Sequence, residues 1–225
     1  KGTRLPDAAV LAELARRLRA DTAGDVRFDA ASRGRHATDA SIYQIFPAGV
    51  FVPTSDADVA AAIAIARSLA VPVLPRGAGT SQCGQTTAAA LVVDATRHLR
   101  RVVAVDVERR TATVEPGLVL DDLNAALRKT GLWFPVDVST SAQATIGGMA
   151  GNNSCGSRSI AYGNMVHNVL GIRARMADGG EVDFGPVAAS SGRAATVAAF
   201  VRELAGRHRA EIEAHWPKVL RRVGG

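Results

Sequence analysis

The chain has 225 residues, 47% of them hydrophobic, with 27 Lys and Arg against 21 Asp and Glu and a formal net charge of +6. This is enough apolar material for one domain or two small lobes, and no apolar run reaches the roughly 18 residues of a membrane span. The basic balance raises nucleic acid as a partner, but the arginines are scattered (doublets at Arg16-Arg17, Arg100-Arg101, Arg109-Arg110 and Arg221-Arg222) and aromatics make up only 4%, which argues against it.

The first residue is Lys1, and the first twenty carry Arg4, Arg16, Arg17 and Arg19 without the apolar stretch of a signal peptide. The spacing of Leu5, Leu11, Leu14 and Leu18 predicts an amphipathic helix. Next comes Arg35-His36-Ala37-Thr38-Asp39-Ala40-Ser41-Ile42-Tyr43, then Pro47-x-Gly49-Val50. Ser55-Asp56-Ala57-Asp58 is a helix start, and the helix is expected to run to about Ala70 with Val59, Ile63 and Ala66 on one face.

Val71 to Leu74 is an apolar run of strand type, expected to break at Pro75 into Arg76-Gly77-Ala78-Gly79-Thr80-Ser81-Gln82-Cys83-Gly84-Gln85. Glycines let a backbone approach a ligand closely, and successive inward amides make a nest for anions, phosphates above all. The dinucleotide fingerprint is not met, because its third glycine is Gly84, two positions late, and no helical pattern follows. Gly79 to Thr86 nearly meets the P-loop pattern, but Gln85 stands where its lysine must be. A pyrophosphate cradle without a lysine fits better, and a glycine-rich surface turn is the alternative.

Strands are expected at Leu91 to Asp94, and at Val102 to Val107 and Thr111 to Glu115 joined by a Glu108-Arg109-Arg110 turn. A helix from Asp121 to about Lys129 ends at Gly131. Residues 135–163 form a second glycine-rich segment, nearly uncharged and too long for a plain loop, with one short helix expected from Thr145 to Asn153. Val169 to Met176 and Glu181 to Phe184 are expected strands around the turn Asp178-Gly179-Gly180, and Thr196 to Glu213 is a last helix. Cys83 and Cys155 are far apart, with no clustered histidines, so no metal site is expected. Both are read as small buried residues, and their reduced state suits a cytoplasmic protein, with peripheral membrane association left open. His36, His98, His167, His208 and His215 are scattered; a structural role is expected for His167.

Pro-Arg-Gly-x-Gly-Thr-Ser at 75–81 followed by Pro-x-Asp-x-Ser-Thr-Ser-Ala-x-Ala-Thr-Ile-Gly-Gly-Met at 135–149 resembles the FAD-binding domain of the vanillyl-alcohol-oxidase type of flavoprotein. Within it the chain is most similar to D-lactate and D-2-hydroxyglutarate dehydrogenases. The resemblance covers nearly the whole chain, including 35–50 and Tyr162-Gly163-Asn164 with Val166-His167-Asn168. It implies an α+β fold of two lobes clasping FAD: a lead-in at 1–44, a small lobe at 45–105, and a larger mixed-sheet lobe at 106–225, incomplete and without its cap domain.

The resemblance also implies the site. Arg76, Gly77, Ala78, Gly79, Thr80 and Ser81, with Gly84 and Gln85, would hold the pyrophosphate. Pro135, Asp137, Val138, Ser139, Thr140 and Ser141 would line the flavin or its ribityl chain. Thr145, Gly147, Gly148, Asn152 or Asn153, and Cys155 and Gly156 would lie near the isoalloxazine. Members that tether the flavin place histidine where Thr80 stands, and some place cysteine where Gln143 stands, so FAD is expected to be non-covalent. The implied substrate is a D-2-hydroxyacid; the substrate acids and bases are expected in the absent cap domain, and no electron acceptor is assigned. The rival readings are an alditol or aryl-alcohol oxidase, an ether-lipid synthase, and a nucleotide-binding module without redox activity.

Overall fold

The computed structural model describes residues 5–185 and 192–219; Arg4 and the Arg221-Arg222 doublet lie outside them. Helix α1 (Ala8–Asp21) starts at Asp7, whose carboxylate accepts from the Val10 amide, and it buries Leu14 and Leu18. Leu5 stands before the helix and is exposed, so the apolar stripe begins later than its leucine spacing suggests. Strand β1 (Asp25–Arg27) and the short helix α2 (Ala30–Arg35) follow.

Strands β2 (Gly49–Val52), β3 (Val73–Arg76) and β4 (Leu91–Asp94) join β1 in one four-stranded sheet of order β1-β2-β4-β3. β1 runs antiparallel to β2, and β2 and β3 both run parallel to β4. β2 is buried at every position, as a parallel strand covered on both faces must be. Its alternation sends Phe51 to one face and Val50 and Val52 to the other, where they pack with Val92.

Helix α3 (Asp56–Ser68) crosses from β2 to β3 and lies beside α1 over the Phe51 face. Its cap is Ser55, which accepts from the Asp58 amide. Its buried face is Asp58, Ala62, Ile65 and Ala66; the expected Val59 and Ile63 are only half-buried. Burial works against the Asp58 charge, but bonds from the Thr54 hydroxyl and from the Ala23 and Thr54 amides outweigh it and hold its pKa below the usual carboxylate range. That carboxylate ties the α1–β1 turn to the start of α3.

β3 continues through Pro75 to Arg76 instead of ending there. The ring is tolerated because β3 is an edge strand, where a missing N–H need not break the ladder. The carrying consequence is that Arg76 is fixed by the sheet, opposite Asp94.

Beyond β4, the described residues add two hairpins to the mixed α+β fold. β5 (Val102–Asp106) pairs with β6 (Thr111–Val114), and β7 (Ile172–Arg175) pairs with β8 (Glu181–Phe184). Their turns place Arg110 and Gly179 at φ of 54° and 88°. Helix α4 (Leu120–Leu127) ends in a 3₁₀ turn to a left-handed Gly131. It brings Leu120, Leu123 and Leu127 to a second core shared by Val136, Ala144, Met149 and Met165.

The β7–β8 hairpin is tied to α3 by polar contacts. Arg175 pairs with Asp56, and Arg67 donates to the Asp178 carbonyl at 2.8 Å. Past it, α8 (Gly192–Arg207) and α9 (Arg209–His215) stand where one helix from Thr196 to Glu213 was expected. The break at His208 follows Gly206, a poor helix former, and only Ala194 of the pair is buried, so no packed face holds them as one rod.

Leu18→Ala is expected to cost about 3 kcal/mol in urea unfolding, because its side chain is fully enclosed. Phe200→Ala, on the exposed face of α8, is expected to change stability by no more than about 0.5 kcal/mol.

Candidate functional site

The loop after β3 is shaped by the Arg76 side chain. The guanidinium turns back under the loop and donates to three carbonyls: His36 at 3.2 Å, Thr38 at 2.7 Å and Thr86 at 3.0 Å. It thereby closes the 76–86 loop on itself and clamps the 36–43 stretch beside it. Burial pulls the Arg76 pKa below its usual value, with Asp94 and Asp39 opposing that fall. The Arg76 side chain is thus a structural clasp.

The same stretch supplies further supports. The Ala40 amide donates to the Gly79 carbonyl, and Asp39 accepts from the Thr86 hydroxyl at 2.9 Å. Burial raises and hydrogen bonds from Ser41 and Thr86 lower the Asp39 pKa, and the bonds win. Gly79 has φ of +70°, and a Cβ there would stand 2.4 Å from the Arg76 guanidinium. Gly84, at φ +76°, leaves room for the Tyr43 ring. Among the described residues, the amides of Ala78, Gly79, Thr80 and Ser81 donate to no protein acceptor, as an anion nest requires.

The second segment is organised from Thr145. Its hydroxyl caps α5 (Ile146–Gly151) by accepting from the Gly148 amide at 3.3 Å. The expected helix is thus shorter, with Thr145 and Asn152 as its caps. Gly147 faces Pro116, where a Cβ would come within 2.5 Å. The two glycine-rich segments meet: a Cβ on Gly77 would lie 2.3 Å from Thr145 Oγ1, and Gln85 donates to Asn152 Oδ1 at 3.1 Å.

The other predicted residues fall into a separate cluster. Asp137 accepts from the Ser157 hydroxyl at 2.7 Å and the Arg158 amide at 3.0 Å. Burial opposes its charge, but these bonds hold its pKa below the usual range. A Cβ on Gly156 would collide with that carboxylate, 2.2 Å from Oδ1. Pro135 and Val138 are half-buried, and Val138 packs on the Val136 core. The Thr140 carbonyl accepts from the Gln143 and Ala144 amides, and that of Ser141 from Asp121, while the Ser139 side chain is exposed. Asn153 adopts φ of 44° and its side-chain oxygen accepts from the Val166 amide, which leaves Asn152 as the member of the pair facing the loop.

Both cysteines depart from their expected burial: Cys83 is exposed and Cys155 half-buried, because the loops that carry them cross the surface. His167 is structural, its Nδ1 accepting from the Asn164 amide at the cap of α7 (Met165–Asn168). Residues with no role assigned from the sequence are His36, Thr38, Asp39, Tyr43, Thr86 and Asp94. The 35–43 stretch was visible as a motif, but its task as a brace for the loop depends on carbonyls that side-chain patterns do not show. A recess of about 660 Å³ lined by Ile212, Glu213, Trp216 and Lys218 lies on α9, away from both segments, with none of their amides or glycines in its wall.

Residues 47–185 match the family described as FAD binding domain. D-2-hydroxyglutarate dehydrogenase of Pantoea ananatis is 40% identical over 167 residues, 73% of this chain and 16% of that protein. Its counterpart in Pseudomonas putida is 34% identical over 213 residues, 90% of this chain and 21% of that one. The chain therefore spans about a fifth or less of these relatives. Among solved structures, an alkyldihydroxyacetonephosphate synthase superposes with a TM-score of 0.73 at 21% identity, over 84% of this chain and 37% of the other, a likeness of fold.

Gly79→Val places a branched side chain at a left-handed φ and into the Arg76 guanidinium. We expect FAD affinity to fall at least about 50-fold in a fluorescence titration, with the melting transition still cooperative. Arg100→Ala, which removes only a surface ion pair with Asp122, should leave FAD affinity unchanged.

Proposed function

The chain belongs to the FAD binding domain family, and from that premise we propose that it is the cofactor-holding part of a flavoenzyme oxidising a D-2-hydroxyacid. The cofactor is FAD. The observation that carries the reading is the run of four uncommitted amides from Ala78 to Ser81, held open by Arg76 and set against Thr145. The residues present fit the group. Gly77 and Gly79 let the loop close on Thr145 and on the Arg76 guanidinium, where a Cβ would collide, and no lysine is needed where several amide dipoles converge on a pyrophosphate. The resemblance to D-2-hydroxyglutarate dehydrogenases favours a 2-hydroxyacid over the rival oxidase substrates.

When bound, FAD supplies the two-electron acceptor for oxidation of the substrate carbinol. This chain's residues orient it. Amides of Ala78, Gly79, Thr80 and Ser81 would hold the pyrophosphate, with the Thr80 and Ser81 hydroxyls as further donors. Gly148, inside α5, and Asn152, its C-cap, would border the ring system. The base that takes the hydroxyl proton is proposed to come from protein outside these 225 residues, because His36 and His167 both have ring nitrogens committed to hydrogen bonds.

The lobes are proposed to divide near residue 105, with α1 and β1 packed into the smaller one. FAD is proposed to be held non-covalently, since Thr80 and Gln143 occupy the tethering positions and neither is a competent nucleophile without strong activation. No helix among the described residues is long and apolar enough to cross a membrane; the two free cysteines favour a cytoplasmic location, with peripheral membrane association left open.

FAD should quench on titration and raise the melting temperature, while ATP does neither; the reverse result would sink the reading. Acid precipitation of the loaded protein should release all its flavin to the supernatant. A flavin-sized mass on the denatured chain would show a covalent link.

A further inference from the structure

The outer arm of the pyrophosphate loop, at Gly84 and Gln85, has a contact on each side. On one side is Tyr43. A Cβ on Gly84 would lie 2.5 Å from Tyr43 Cδ2, 3.1 Å from Cγ and 3.3 Å from Cε2, so one edge of the ring rests against the glycine at its φ of +76°. On the other side is Asn152, whose Oδ1 accepts from Gln85 Nε2 at 3.1 Å. The two contacts belong to consecutive residues, so a shift of Gly84 carries Gln85 with it.

Each end of this path is anchored. Tyr43 lies on the return arm of a turn closed by the Thr38–Gln44 bridge and by the Ile45 amide, which donates to the Ala37 carbonyl at 2.8 Å. The Tyr43 amide itself donates to Ser41 Oγ at 3.1 Å, and the Ala40 amide fastens the turn to the Gly79 carbonyl. At the other end Asn152 closes α5 and donates through Nδ2 to Ser154 Oγ at 3.4 Å. Ser154 is buried, and its amide donates to the carbonyl of Met149 in the second core. A continuous path thus runs from the 37–45 turn through the Tyr43 ring, Gly84 and Gln85 to α5.

We infer that Tyr43 is a positioning residue: its ring holds Gly84 so that Gln85 spans to Asn152, and this strap fixes the spacing between the pyrophosphate loop and the segment proposed to border the flavin ring. FAD is one ligand that must meet both segments. Setting their spacing beforehand lowers the ordering cost of binding, which is how a weak surface bond comes to matter for affinity. The three atoms nearest Gly84 are all ring carbons, so the ring and not the hydroxyl carries the effect. The inference rests on the FAD reading above and assigns Tyr43 no contact with the cofactor.

A double-mutant cycle tests the path. Tyr43 is 53% exposed, so Tyr43→Ala should keep a cooperative melting transition. In fluorescence titrations of this chain, the FAD dissociation constant should rise about eightfold in Tyr43→Ala and about fivefold in Gln85→Ala. In the double variant it should rise no more than about tenfold, because both changes cut one path. Tyr43→Phe should stay within about twofold of the wild type. A double variant that loses the product of the single effects, about 40-fold, overturns the inference. So does a single alanine variant that binds FAD like the wild type, or a Tyr43→Phe as weak as Tyr43→Ala.

A cofactor-free readout keeps it distinct from the FAD reading. In nitrogen-15 spectra of the chain without FAD, the side-chain amide signals of Gln85 and Asn152 should shift in Tyr43→Ala and stay in place in Tyr43→Phe. A role for Tyr43 confined to its own turn would move signals of residues 38–45 and leave those two where they are. Gln85 and Asn152 signals that ignore loss of the ring overturn the inference whatever FAD does. Signals that respond in a chain that fails to bind FAD support the strap and refute the FAD reading instead.

Discussion

Three backbone carbonyls converge on the Arg76 guanidinium, and the candidate site depends on that convergence. Carbonyls 36, 38 and 86 belong to segments that no regular ladder joins. Without the arginine the part-buried carbonyls of His36 and Thr86 would lose this partner. A planar cation with several donors in fixed directions can hold three such groups at once, which a lysine cannot. The loop therefore keeps its open shape before any ligand arrives. Arg76 itself is positioned by β4, the inner strand of the sheet, so the rigidity of the fold is passed to the loop in a single side chain.

The glycines near the site are set by neighbours more than by turns. Gly77 makes room for Thr145, Gly147 for Pro116, and Gly156 for Asp137. Each lets one segment approach another at a distance that a methyl group would forbid. In this way the loop from the four-stranded sheet and α5 from the second core come into contact without a large apolar interface. A site built on such close approach is sensitive to small volume changes and tolerant of surface charge changes. Several arginine pairs illustrate the latter: Arg16–Glu13 and Arg101–Glu115 are well exposed on the arginine side and contribute little.

The two ends of the described chain contrast in packing. α1 is sealed onto α3 through Leu14 and Leu18, whereas α8 and α9 leave Phe200, Leu204, Ile212 and Trp216 exposed. The loop is thus braced by the first sheet and by the second core. The relatives are several times longer than this chain.

The sequence by itself determined the local elements and the cofactor class. Capping by Ser55, the Asp178-Gly179-Gly180 turn, the left-handed Gly131 and the strand at Leu91 to Asp94 are near-neighbour effects, and near neighbours are what a sequence displays. The first glycine-rich loop was legible as an anion nest, while the flavin role of the second follows from the resemblance of the two motifs together to a known family. The continuation of β3 through Pro75 was not, since an edge position is defined only by strand order. Nor was the break at His208, which reflects missing packing on both helices. The roles of Arg76, His36 and Asp94 were decided by tertiary structure alone. Their partners are backbone carbonyls and side chains tens of residues away, and only the folding of β3 against β4 and α2 brings those acceptors within hydrogen-bond reach.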